Sequence, residues 1–256
     1  MSNHDATSDW TFHHIGLLVT GEGEERFLPV FLRSLTESGL CHIEVIRRIP
    51  QRSARTSPKR KLQMVNTGKT ITDSDAEQIG LPARQYLSKP GSRFVVLVDD
   101  LEHKRIDDHA DHFKRYLTAL DTMLVPIRGD LSHRASVHFL INMVEAYYFA
   151  DPHAVNAVMG GELADYPGDV EDIRHPKNEL KKRFPVFDNV EHGEQIAKQL
   201  DLPLVLSNPQ TCASLRTLIK WCVTAMRLPL TERFQLSDGV THPISNGQIT
   251  SLNTVK

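Results

Sequence analysis

Cysteine is scarce in this 256-residue chain, and its three copies, Cys41, Cys212 and Cys222, lie far apart. There is no CxxC pair, which argues against a zinc knuckle, and an odd, scattered set argues against a disulfide framework. Reduced structural thiols are the expectation. Long hydrophobic runs are missing too. No stretch approaches the roughly 20 apolar residues of a membrane span, and Met1 to Trp10 lacks the apolar run of a secretory leader. The expectation is a cytoplasmic protein with no membrane partner. Charge of one sign is also absent, with 30 Lys and Arg against 32 Asp and Glu, a net of −2. The whole-molecule field therefore does not mark a nucleic-acid binder, and such binding has to come from a local patch. Internal repeats and low-complexity segments do not occur. The chain is 40% hydrophobic and 24% charged, ordinary for a globular protein able to bury a sizeable core.

The first strong element is Ile15-Gly-Leu-Leu-Val19, a short apolar run that reads as a buried strand. Thr20-Gly-Glu-Gly-Glu-Glu25 follows it. Phe27, Leu28, Phe31, Leu32 and Leu35 then recur at helical spacing, so a helix is expected to about Ser38, stopped by Gly39. Pro29 limits how early that helix starts, because only a first turn tolerates proline. Cys41 to Ile49 reads as a second strand, with Ile43, Val45 and Arg47 sharing a face, and residues 51–72 as a long loop. A helix is expected over Asp75–Leu87. Arg93-Phe-Val-Val-Leu-Val98 is the clearest strand, closed by Asp99-Asp-Leu-Glu102. A helix from His103 to Leu120 comes next, then an apolar stretch over Ala135–Met143. After Pro152 the chain reads as mostly helical, with a packing helix over Ser214–Met226 and a loosely ordered polar tail from about Ser237. Strands alternating with helices imply an α/β fold with a mostly parallel sheet covered on both faces. The expected division is an α/β core over 11–155 and a mostly helical extension over 156–256 packed on it.

Two strands end in acidic clusters: Glu22, Glu24 and Glu25 after the first, Asp99, Asp100 and Glu102 after the central one. In parallel sheets, ligands sit at the carboxyl ends of strands. Carboxylates converging there repel one another. A magnesium ion relieves this, since it takes oxygen ligands and keeps waters for a substrate phosphate. Plainer readings stand beside this one. Acids in a first helical turn offset the helix dipole, and aspartates after a strand serve as turn and cap residues. Glu145 is the third candidate, because a glutamate inside the apolar segment Val144-Glu-Ala-Tyr-Tyr-Phe-Ala-Asp151 needs a partner or a function. Its plainer reading is a salt bridge. Asp151, before Pro152, reads as a turn residue.

Together these segments resemble the TOPRIM domain, which shows a strand, an acidic-plus-glycine turn, and a later strand ending in Asp-x-Asp or a variant. The matching pieces are Leu17-Leu-Val-Thr-Gly-Glu-Gly-Glu-Glu25 and Val96-Leu-Val-Asp-Asp-Leu-Glu102. The segment around Glu145 resembles the Glu-Ala-Trp-Leu-Leu-Ala-Asp stretch of an uncharacterised TOPRIM-related bacterial family, akin to overcoming-lysogenization-defect nucleases and anticodon-nuclease accessory proteins. The likeness covers about the first 155 residues. It implies a TOPRIM/Rossmann-like fold and Mg²⁺- or Mn²⁺-dependent cleavage of DNA or RNA. Asp99, Asp100 and Glu102 would then hold metal, Glu22 or Glu24 would be a further ligand or the general base, and Glu145 would complete or buttress the site. It also implies an effector role in bacterial antiphage defence beside a separate ABC- or AAA-type ATPase, and is compatible with a homo-oligomer. Two departures matter. Thr20 stands where the family has its first glutamate, and Asp-Asp-Leu-Glu replaces Asp-x-Asp. They leave open a catalytically inactive binding or scaffold subunit.

Between positions 47 and 69 the chain carries Arg47, Arg48, Arg52, Arg55, Lys59, Arg60, Lys61 and Lys69 without an acid. This basic loop is a candidate phosphate grip, with Lys177 as a second contribution; the plainer reading is a solvated loop. Thr67-Gly-Lys-Thr70 resembles the end of a P-loop, but the glycine required five residues earlier is Gln63. ATP binding by this chain is therefore rejected. His103, His109 and His112 do not share one helix face, and no nucleophile elbow supports serine catalysis.

Overall fold

The computed structural model describes residues 11–49, 75–101, 109–127 and 129–236. Its first strand, β1 (His13–Val19), is buried along almost its whole length. That suits a strand with neighbours on both sides and cover on both faces. After it come α1 (Glu22–Phe31), the short α2 (Arg33–Thr36) and β2 (Cys41–Arg48). A π-helical turn at Ala76–Gly80 leads into α3 (Leu81–Leu87), then β3 (Ser92–Leu101), α4 (His109–Leu124) and β4 (Ala135–Ile141). All strand pairs are parallel, in the order β2-β1-β3-β4. The chain thus winds to one side of β1 and then to the other, so the switch point lies between β1 and β3.

Alternation along the strands sorts the core into two layers. Ile15, Leu17, Val19, Phe94, Val96 and Val98 face α1 and the C-terminal helices. Leu18, Val95, Leu97, Val137 and Phe139 face α3 and α4. At Gly16 a Cβ would lie 2.8 Å from the Tyr86 ring. The glycine is what lets Tyr86 pack onto the middle of β1.

Four local readings need correction. Helix α1 begins at Glu22 with Pro29 inside it. The proline costs one amide donor, but the helix ends two residues later, where the Leu32 amide still donates to the Leu28 carbonyl at 2.9 Å. The expected single helix is therefore broken at Leu32, and α2 closes on Gly39 at φ +71°, the left-handed conformation glycine adopts freely. In β2, the register against β1 slips after Val45, leaving Ile46 as an extra residue. Such a bulge reverses the alternation, so Arg47 leaves the face of Ile43 and Val45 and donates to Gln78 at 3.0 Å on the other side of the sheet. Lastly, β3 does not close at Val98. Pairing of Asp99, Asp100 and Leu101 with Phe139, Leu140 and Ile141 carries it on through Leu101.

The rest is helical: a 3-10 segment at Val144–Ala150, α5 (Pro152–Met159), a 3-10 turn at Val170–Asp172, α6 (Pro176–Arg183), α7 (Glu191–Gln199), α8 (Leu202–Val205) and α9 (Ala213–Ala225). Asp151 caps α5, accepting from the Ala154 amide at 3.2 Å, and also takes the Asp201 amide at 3.0 Å. Buried Glu171 sits at the N-terminus of α9, accepting from the Ser214 amide at 2.9 Å and the Tyr147 hydroxyl at 2.8 Å. Val205, Leu218 and Phe234 share one apolar cluster with the sheet residues, so the helical part and the sheet bury each other. Cys41, Cys212 and Cys222 are buried free thiols. Among the described residues no helix is long and apolar enough to cross a membrane.

Candidate functional site

The carboxyl ends of β1 and β3 meet at Thr20 and Asp99. The Thr20 hydroxyl donates to Asp99 Oδ1 at 2.6 Å, and the Tyr116 hydroxyl of α4 donates to Oδ2 at 2.7 Å. Asp99 is fully buried. Because the strand continues through Leu101, alternation sends Asp100 to the opposite face, toward α1. The two aspartates therefore do not form one side-by-side ligand pair. Glu102 lies outside the described residues.

Helix phase separates the three glutamates of the turn. Glu22 points outward and pairs with Arg26 at 3.1 Å, while Glu25 pairs with Arg48 at 3.0 Å. Glu24 is buried. Its carboxylate folds back over Gly21, where an added Cβ would come within 1.9 Å of Oε2, so the close approach requires glycine. Burial raises the Glu24 pKa above the usual carboxylate range. The charges of Glu145 and Asp99 push the same way, against its own backbone amide and the Lys177 ammonium.

Glu145 enters from β4. Two non-glycine residues with positive φ, Asn142 at +58° and Met143 at +74°, turn the chain sharply after that strand. Met143, with ψ 162°, occupies a region that is essentially glycine-only and costs about 1–3 kcal/mol. The turn is held by Asn142, whose Nδ2 donates to the Glu171 carbonyl at 2.8 Å. Glu145 follows in the 3-10 segment and is 1% exposed. Lys177 Nζ of α6 lies 3.4 Å from its Oε1, yet among the described residues that buried oxygen accepts no hydrogen bond.

Of the residues singled out by sequence, Glu24, Glu145, Asp99 and Lys177 are brought together, and Glu22 is not. Arg47 and Arg48 are engaged with Gln78 and Glu25. Arg52, Arg55, Lys59, Arg60 and Lys61 lie outside the described residues. Lys177, read as a phosphate contact, is the ion-pair partner of Glu145. Two participants were not foreseen. Thr20 looked like a gap in the motif but is an Asp99 donor, and Tyr116 carried no signal beyond its place on a helix. Among the described residues no group of three or more histidine, cysteine, aspartate or glutamate side chains is arranged to hold a metal ion.

A protein-family model described as a domain of unknown function (DUF4276) matches residues 19–221, most of the chain. No curated protein and no solved structure matches it.

Proposed function

Since the chain belongs to the DUF4276 family, whose description names no activity, we propose, from the site together with the resemblance seen in the sequence, that it is a Mg²⁺-dependent phosphodiester hydrolase of TOPRIM type acting on DNA or RNA. One observation carries this reading. Two buried carboxylates, Glu24 and Glu145, lie close enough at the switch point to repel each other, and among the described residues Glu145 Oε1 accepts no hydrogen bond. An unsatisfied buried carboxylate oxygen costs several kcal/mol unless a cation completes it. Magnesium commonly takes only one or two protein carboxylates, so the pair fits one ion without a third acid. Bound there, the ion would supply charge neutralisation for a phosphate and an activated water.

The chain's own groups have distinct tasks. Glu24, as a ligand of the ion, would hold and orient the water bound beside it. Lys177 holds Glu145 in place and offers its ammonium to a phosphate oxygen. Thr20 and Tyr116 fix the Asp99 carboxylate, whose charge raises the proton affinity of Glu24. A grip on the strand by the basic segment of residues 47–69, and a separate ATPase acting beside this chain in antiphage defence, belong to the same proposal. Co-purification from native extracts tests the ATPase pairing, and an isolated monomer there would count against it.

The test of the site is thermal denaturation with Mg²⁺ or Mn²⁺ titrated into wild type, Glu24→Gln and Glu145→Gln. Ion binding at a hundred times Kd raises stability by about 2.7 kcal/mol; wild type should gain this and the variants should not. Gains shared by all three proteins would sink the assignment. A specific observation favours a second reading: hydroxyls already occupy both Asp99 oxygens, and Lys177 already stands beside Glu145. A non-catalytic scaffold subunit would show no response to metal in any variant.

A further inference from the structure

Against α6 the C-terminal part forms an open cavity of about 620 Å³, within the range of small-ligand sites. Phe149 and Ile173 form part of its apolar wall. Tyr166 stands at its edge, 39% exposed, its ring set edge-on to Phe149 at 6.2 Å between centroids. Arg174 and Arg183 also line it, and neither makes an ion pair or a side-chain hydrogen bond among the described residues.

We infer that this cavity binds one unstacked nucleotide. An exposed aromatic ring gives a base a stacking surface whatever its sequence. Guanidinium groups with no carboxylate partner match the charge and geometry of a phosphate. Asp172, on the same wall, can accept from a base N–H. Placement ties the cavity to the acidic centre. Helix α6 turns Glu179 and Arg183, four residues apart, toward the cavity, while Lys177 on the same helix reaches Glu145. The same helix thus serves the cavity and the acidic centre. That makes single-stranded nucleic acid, whose bases are free to leave a stack, the substrate class of the proposed hydrolase. The inference rests on that hydrolase reading for the substrate, but binding itself needs no metal.

The test is fluorescence anisotropy of the full chain in EDTA, using a labelled mixed-sequence single strand of about 12 nucleotides and a duplex of equal length. The single strand should bind at least about tenfold more tightly than the duplex. Tyr166→Ala should weaken it roughly ten- to a hundredfold, and Tyr166→Phe should retain it. Arg174→Ala with Arg183→Ala should weaken binding and flatten its salt dependence. Metal is absent throughout this assay, so a failed metal titration of the acidic centre leaves its result standing. Competition by free nucleoside monophosphates distinguishes the source. If they fill the cavity and no strand binds, the site belongs to a free nucleotide, and the single-strand substrate is withdrawn. Equal binding of duplex, no binding of any nucleotide probe, or wild-type binding by both Tyr166→Ala and the arginine double variant overturns the inference.

Discussion

Thr20→Val isolates the contact that joins the two central strands at the site. Valine keeps the volume and branching of threonine, so no cavity opens, and only the hydroxyl is lost. That hydroxyl donates to a buried carboxylate at 2.6 Å, and a hydrogen bond to a charged group is worth about 1.5–3 kcal/mol. In a chain of this size each kcal/mol lowers Tm by about 2–4 °C, so the expected fall is roughly 3–12 °C. Tyr116→Phe, which removes the 2.7 Å bond to the other oxygen, should cost a similar amount. The double variant should depart from the sum of the two, because both donors act on one carboxylate. Urea denaturation followed by circular dichroism, with EDTA present to remove metal, measures all three. A Thr20→Val change below about 0.5 kcal/mol, within the scatter of surface substitutions, would refute the claim that Thr20 supports Asp99. A fully additive cycle would refute the coupling of the two donors through Asp99.

Gly21→Ala should leave the fold within about 1 kcal/mol of wild type, since the backbone there is extended and the added Cβ meets only the end of the flexible Glu24 side chain. It should displace that carboxylate and abolish any Mg²⁺-induced rise in Tm, as read by thermal shift. At position 143, glycine should be more stable than alanine by about 1–2 kcal/mol in urea melts, reversing the usual order, because φ is +74° there. Burial raises the Glu171 pKa from 4.5 to about 7. The folded state therefore holds a proton that the unfolded chain has lost over this range, and the Glu171 contribution to stability falls as pH rises through it. Glu171→Gln should gain on wild type by roughly 3 kcal/mol between pH 4.5 and 7.5. Buried His138, lowered to about 3, acts oppositely, since the unfolded chain alone takes up a proton below 6.5. In wild type the two slopes nearly cancel between pH 4.5 and 6.5, and Glu171→Gln should expose a loss of about 1.4 kcal/mol per unit of acidification there.

The parallel sheet was legible in the sequence because a strand buried on both faces has to be apolar throughout, and the runs ending at Val19 and Val98 are of that kind. Glu145 was legible for the converse reason, as a charge inside an apolar segment. Other features followed long-range pairing that no local pattern carries. The extra residue at Ile46 turned Arg47 to the far side of the sheet, and β4 held β3 extended far enough to part Asp99 from Asp100. Pro29 misled for a similar reason: its missing donor matters little where the helix is about to end.

By itself, then, the sequence determined the α/β class, the two central strands and the set of acids from which a site could be drawn. Composition and periodicity suffice for these, because burial demands apolar residues at set intervals. Tertiary structure alone decided which acids meet. Glu22, Glu24 and Glu25 are equivalent in composition, but the packing of α1 against the sheet buries one and leaves two in water. Convergence depends on the phase of each helix and the register of each strand, and both are set by partners distant in the chain.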